Sequence, residues 1–251
     1  MADQFPTLKN PPIVEAVVDI DCDLPPGLKI EALEKLGREA YHKEYPITET
    51  RYLLQHELQA KRNEPPKTST SENVNAYLFL REDKKQLVQV RTDGFSFNRL
   101  APYSTLDDYL DEVKRAWKLF VNLAKPVQVR AVRLRYINQI KVLLTDGLAD
   151  LDDYLRIGPK LPHEETLILM GFLDQHMALE KDTSNFVQTT LTSKNQPPDT
   201  LVVIFDITVW KEERSQPDDW PKIVSTIQSL RNLKNRTFYN TLNPKCLQQY
   251  Q

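Results

Sequence analysis

The sequence predicts an α+β fold: two tandem pseudo-duplicated β-α-β-β-β-α halves that join into one curved, mainly antiparallel sheet with long helices on one face. Three observations predict it. Stretches of two-residue apolar period alternate with stretches of helical period. The element order of the first half recurs in the second. Each run of strands ends in a long amphipathic helix, which a sheet needs to bury its apolar face. The expected halves are residues 1–125 and 126–251, packed as one continuous unit.

The elements follow in chain order. Val14, Ala16, Val18 and Ile20 alternate with Glu15 and Asp19, so Pro12–Ile20 reads as a half-buried strand. After the Pro25-Pro26-Gly27 breaker, Ile30, Leu33, Leu36, Ala40 and Tyr41 recur at helical spacing. Arg51–Gln59 alternates again, with Tyr52, Leu54, His56 and Leu58 on one expected face. Lys61–Asn73 is rich in Lys, Pro, Ser and Thr and reads as an exposed loop. Ala76–Arg81, Leu87–Thr92 and Phe95–Phe97 read as short strands. Thr105–Leu123 is the clearest helix, capped by Ser104 or Thr105 and striped by Leu106, Tyr109, Val113, Trp117 and Phe120.

Pro126 opens the second half. Val127–Val142 alternates Leu134, Tyr136 and Ile140 against Arg133, Arg135, Gln139 and Lys141, a long strand. Asp150–Ile157 reads as a short helix, and Thr166–Glu180, Phe186–Thr192 and Leu201–Lys211 as strands. The last helix, Trp220–Asn235, opens on Asp218-Asp219 with Pro221 in its first turn, which suits both the dipole and the fixed φ. A shift of 114 places Leu106, Tyr109, Leu110 and Val113 on Trp220, Ile223, Val224 and Ile227 (220 − 106). The same shift carries Leu54, His56 and Leu58 onto Ile168, Met170 and Phe172. In element order this is similar to the TATA-binding protein and the helix-grip folds, a likeness of architecture alone.

Composition excludes several function classes. The 251 residues carry 33 Lys+Arg against 35 Asp+Glu, so a net charge of −2 gives no global field to recruit nucleic acid or acidic membranes. Two cysteines, Cys22 and Cys246, are too few for a disulfide scaffold or a four-cysteine zinc site and are expected as reduced thiols. Met1–Asn10 lacks the charge and apolar core of a signal peptide, and apolar runs such as Leu167–Leu173 are far too short for a bilayer. A soluble, cytoplasmic protein is expected. Six glycines, no two closer than ten positions, exclude a Walker loop and a dinucleotide-binding turn. No nucleophile elbow, zincin helix or cysteine knuckle occurs, and no cofactor is expected.

Four segments carry a resemblance: Pro11-Pro12-Ile13-Val14-Glu15-Ala16-Val17, Asp93–Leu100, Leu134-Arg135-Tyr136-Ile137-Asn138 and Phe238–Leu242. Together they resemble a sporadically distributed, uncharacterised prokaryotic family of about 250 residues, and the match spans nearly the whole chain. The P-P-I-V-E-A-V and L-R-Y-I-N segments are its specific part. The resemblance implies no activity, and the family's patchy distribution implies an accessory role at mobile or defence-associated loci.

Candidate sites are few. Arg133 and Arg135 share one face of the central strand, roughly 6–7 Å apart, with Gln139 and Lys141 further along it. Such a face grips an anionic ligand or a partner protein, or else it pairs internally with strand carboxylates such as Asp206 or Asp174. Asp174 and His176, two apart on a strand with Glu180 beyond, form the minimum of an acid–base or metal site. Asp19, Asp21 and Asp23 alternate at a strand end, where a solvated end is expected over a cation site. Phe95, Phe97 and Tyr103 suit base stacking or, more commonly, the entry of a long helix. Asn138 interrupts an apolar face and is expected to satisfy a backbone group. His163-Glu164-Glu165 and Asp152-Asp153 are given no role. The first reading is therefore a non-enzymatic binding or protein-interaction module. The alternatives are a metal-dependent hydrolase or nuclease using Asp174 and His176, and a nucleic-acid-binding protein.

Overall fold

The computed structural model describes residues 5–6, 8–59, 67–144, 149–160, 167, 169–196 and 200–251. The first half comprises β1 (Ile13–Asp23), α1 (Ile30–Tyr41), β2 (Ile47–Gln59), β3 (Lys67–Leu80), β4 (Gln86–Arg91), β5 (Gly94–Leu100) and α2 (Leu106–Ala124). The second comprises β6 (Gln128–Leu143), a 3₁₀ turn at Leu151–Asp153, β7 (Leu173–Leu179), β8 (Phe186–Gln196), β9 (Thr200–Ser215), α3 (Trp220–Thr241) and α4 (Pro244–Gln248). The nine strands form one antiparallel sheet in the order β2-β3-β4-β5-β1-β6-β9-β8-β7. β1 and β6 pair at its centre, from Ile13 opposite Asn138 to Asp23 opposite Gln128, so the sheet runs unbroken from one half into the other.

The register assigns the two faces. Residues directly opposite in neighbouring strands share a face. Phe79, Val88, Phe97, Val18, Leu134 and Val209 stand opposite one another across six strands. All six are fully buried. Steps of two along the strands add Phe95, Tyr136 and Phe205 to that face. Three helices cover it. Gly37 lets α1 lie against Phe79, where a Cβ would meet the ring at 2.3 Å. Trp117 of α2 meets Phe95 edge-on at 5.6 Å, and Phe238 of α3 stacks on Phe205 at 6.2 Å. The Trp117 indole N–H also donates to the Pro217 carbonyl at 2.9 Å, fastening α2 to the chain that enters α3. A capping box between Thr105 and Asp108 starts α2.

Several elements differ from expectation. Lys67–Asn73 belongs to β3, pairing with Leu53–Gln59 of β2 in a polar two-stranded ribbon. Its Ser and Thr residues satisfy the ladder without needing a core, which composition alone reads as a loop. Tyr52 and Leu54 are exposed on that ribbon, so the alternation of β2 does not mark a buried face there. The side chains of His56 and Leu58, Ile168 of the repeat alignment, and His163-Glu164-Glu165 lie outside the described residues. The predicted helix at Asp150–Ile157 is a 3₁₀ turn bridged to Leu242 through Leu155. β7 starts at Leu173, later than expected, and Phe172 before it bonds β8 through the Ser193 backbone N–H and the Ser193 and Thr192 hydroxyls. No helix among the described residues is long and apolar enough to cross a membrane. Cys22 and Cys246 are buried free thiols, pushed up to about 12 by burial.

Candidate functional site

Arg133, Arg135, Gln139 and Lys141 share the uncovered face of β6, opposite Leu134 and Tyr136. Neighbouring strands supply the two arginines with carboxylates. Arg135 grips Asp206 of β9 in a fork, with Nε at 2.9 and 3.1 Å from the two oxygens. Arg133 reaches Asp21 of β1 at 3.1 Å. Asp174, the other carboxylate suggested as a partner, stands opposite Leu191 and therefore projects to the helix side of the sheet. An anion approaching Arg133 or Arg135 would have to displace a carboxylate that the fold already holds in place.

Asp19 and Asp21 are not a solvated strand end. Arg91 of β4 bonds Asp19, Asp21 and Asp93, each at 3.0 Å, and Ser96 donates to Asp19. Antiparallel pairing sets β5 between β4 and β1, which brings the Arg91 side chain across Gly94 to these aspartates. Gly94 is required there, since a Cβ would sit 2.4 Å from the Ile20 carbonyl. Burial pushes the Asp21 carboxyl up, with Arg133 and Arg91 pulling against it. Asp23 pairs with Arg130 at 3.2 Å.

Asp174 and His176 do meet, Oδ1 to Nε2 at 2.8 Å, on the exposed edge strand β7. Glu180 does not join them. It is held by Arg236 of α3 and by Thr183 and Asn185. No group of three metal-ligating side chains occurs among the described residues.

The covered face holds a different arrangement. A cavity of about 320 Å³ opens where β6 meets the N-terminus of α2 and the C-terminal half of α3. Asn138, 1% exposed, lines it. The Asn138 Nδ2 donates to the carbonyls of Phe205 at 2.9 Å and Tyr136 at 3.3 Å. Carbonyls only accept, so the amide cannot be turned over, and the remaining atom is an acceptor. Among the described residues that atom, Oδ1, is buried without a hydrogen-bond partner, a state that costs about 1–3 kcal/mol. The expectation that Asn138 satisfies a backbone group describes only its nitrogen.

Aromatic and basic side chains complete the walls. Tyr103 meets Tyr136 edge-to-face at 5.9 Å, and Lys234 Nζ stands 4.1 Å above the Tyr136 ring. Burial pushes the phenols of Tyr103 and Tyr136 up, keeping both neutral. Arg231 binds both oxygens of Asp107 at 2.8 and 2.9 Å. At the rim Phe5 stacks on Tyr239 at 4.6 Å, and the Tyr239 hydroxyl donates to the Pro6 carbonyl.

Phe95 and Phe97 pack under α2 against Trp117 and Tyr109, so neither is presented for stacking on a base. Tyr103 alone of that trio reaches the cavity. Sequence reasoning passed over Arg231 and Lys234. Their three-residue spacing beside the stripe Ile227, Leu230 and Leu233 was the available signal, because residues three apart share a helix face. Parts of three segments that carry the family resemblance meet here: Pro11 with Ile13, Tyr136 with Asn138, and Phe238 with Tyr239. Compared with known proteins, the chain matches no family model and no curated sequence.

Proposed function

We propose that this protein is a non-catalytic binding module whose ligand seats in the cavity between β6, α2 and α3, on a duplicated scaffold similar in element order to the TATA-binding protein. The observation that carries this reading is Asn138: a buried amide in the lining of the cavity, held in one orientation by the sheet, whose Oδ1 has no hydrogen-bond partner among the described residues. Such an atom is costly to bury and is repaid by a ligand that donates to it. On the uncovered face the ion pairs of Arg133 and Arg135 make those residues part of the sheet's own cohesion, which leaves the cavity as the better receptor.

The test compares wild type with Asn235→Trp, which adds bulk from the α3 wall of the cavity. Both are screened for thermal stabilisation against a library of small metabolites. A set of compounds that raises the melting temperature of wild type and not of the variant is expected. A library in which every stabilising compound acts equally on both proteins would remove the cavity as the binding site.

A further inference from the structure

We infer that the outer edge of β7 pairs with the same edge of a second copy of this chain, joining two nine-stranded sheets about a two-fold axis at Gln175. The described walls of the cavity come from other elements, so this goes beyond the binding reading and does not depend on it.

Among the described residues β7 ends the sheet on one side and β2 on the other, and the two edges differ. β2 carries exposed Glu49 and Arg51, and its register shifts between Arg51 and Tyr52. Charges and bulges of that kind keep an edge from pairing. β7 runs against β8 without a shift from Leu173 to Leu179, and its seven residues include no Lys, Arg, Glu or Pro. Leu173, Met177 and Leu179 are each more than half exposed on the uncovered face. Leu179 continues there onto Phe186 and Trp210, whose rings stack at 5.0 Å. At the two ends of the β7–β8 ladder the Ser193 N–H donates to the Phe172 carbonyl and the Glu180 N–H to the Asn185 carbonyl. Even positions therefore bond β8, and Leu173, Gln175, Met177 and Leu179 turn their N–H and C=O groups outward.

The occupant follows from how this strand matches itself. With the axis at Gln175, outward-turned residues meet outward-turned residues: Leu173 stands opposite Met177 of the second copy, and Gln175 opposite Gln175. Both apolar pairs fall on the uncovered face. On the helix side Asp174 stands opposite His176 of the second copy, twice, a carboxylate acceptor facing an imidazole that can donate. Within one chain these two side chains already meet at 2.8 Å, so both heads lie at that edge. An axis at His176 keeps the backbone bonds but sets imidazole against imidazole and Asp174 against Ala178. The acid–imidazole match selects Gln175. A two-fold contact of this kind closes at two copies.

Seven residues a side make a small interface, so a weak dimer with a Kd of about 10–100 µM is expected. Sedimentation velocity of the full chain from about 1 µM to about 300 µM should show monomer passing into dimer. Gln175→Pro removes an N–H that β8 does not use, so it should raise the Kd at least about tenfold while the melting temperature holds. Met177→Lys puts a charge on the same edge at an exposed position and should weaken the dimer likewise, which decides the matter if the proline variant fails to fold. Gln175→Cys sets two thiols on Cα atoms about 5.5 Å apart across the axis, so oxidation should trap a dimer faster than with His176→Cys. Cys22 and Cys246 are buried and do not compete. A chain that stays monomeric throughout, or that associates equally well in both edge variants, would overturn the inference. Faster trapping through His176→Cys would overturn the axis at Gln175. The cavity reading stands or falls separately, by the Asn235→Trp screen.

Discussion

On the covered face of β6, Leu134, Tyr136 and Ile140 are buried under helices, while Arg133 and Arg135 on the other face are tied to carboxylates at the open surface. Both faces are cohesive, but by different physics. The covered face gains from removing apolar area from water, a non-directional gain that tolerates a cavity at one end. The uncovered face is held by directional pairs that tie β6 to its neighbours β1 and β9 and reach from β4 across β5 to β1, so it depends on register. The difference teaches where a ligand can enter without dismantling the sheet: on the apolar side, beside Asn138, rather than among arginines already engaged.

The sharpest way to break the covered face is Trp117→Ala. The indole is 1% exposed and touches Phe95 and Phe120, so its loss should cost about 3–5 kcal/mol in chemical denaturation. The uncovered face should respond next most strongly at Arg91, whose side chain is 15% exposed and serves three aspartates. Arg91→Gln should cost about 2–4 kcal/mol, because Asp19 and Asp21 keep their charge in a half-dry place.

Arg133→Gln combined with Arg135→Gln should cost less, about 1–2 kcal/mol, since the Arg135 side chain is 47% exposed and Asp21 keeps its bond to Arg91. A double variant as stable as wild type would show that these pairs contribute no cohesion. A loss as large as that of Trp117→Ala would erase the contrast between the faces.

The smallest effect concerns pH. Burial works against ionisation of Glu180, yet the hydrogen bonds from Thr183, Arg236 and Asn185 prevail and hold its carboxyl below the usual range. A folded value below the unfolded one adds stability that is full above the ordinary glutamate range and is lost as pH falls through the lowered value. Arg236→Gln should therefore cost at most about 1 kcal/mol near neutrality, and the difference should vanish in strong acid. Asp21 is raised by burial, so it acts with the opposite sign. Its contribution is full below the ordinary aspartate range and falls as pH rises through the raised value, a fall that Asp21→Asn should flatten.

Much of the architecture was legible because burial leaves a period. The alternation of β6 and the stripe of α2 gave both elements to within two residues of their observed ends. Only half of the β2–β3 ribbon was legible: alternation marked Arg51–Gln59 as a strand, whereas Lys67–Asn73 carries no apolar period, and Leu54 looked like core while standing in water. Pairings between distant strands were only half legible. Asp206 was a natural partner for Arg135, but Asp21 for Arg133 depends on β1 lying beside β6, which no local pattern states. The cavity was least legible of all. Asn138 stood out as a polar break in an apolar row, yet nothing in its neighbours says that it lines the same space as Tyr103 and Lys234.

The central position of β1 has a consequence for the order of events during synthesis. Its neighbours are β5, whose pairing runs to Leu100, and β6, whose pairing runs to Asn138. At translation rates of about 5–20 residues per second, the earliest strand waits several seconds for its second partner. Through that interval the edge of β1 that will meet β6 offers a row of unpaired amides and carbonyls, the kind of edge that invites another chain. Asp19 and Asp21 lie on this strand, and Arg91, made before β6, can engage both while that edge is still bare. The same charges that later knit the finished sheet would then act as guards on the growing one.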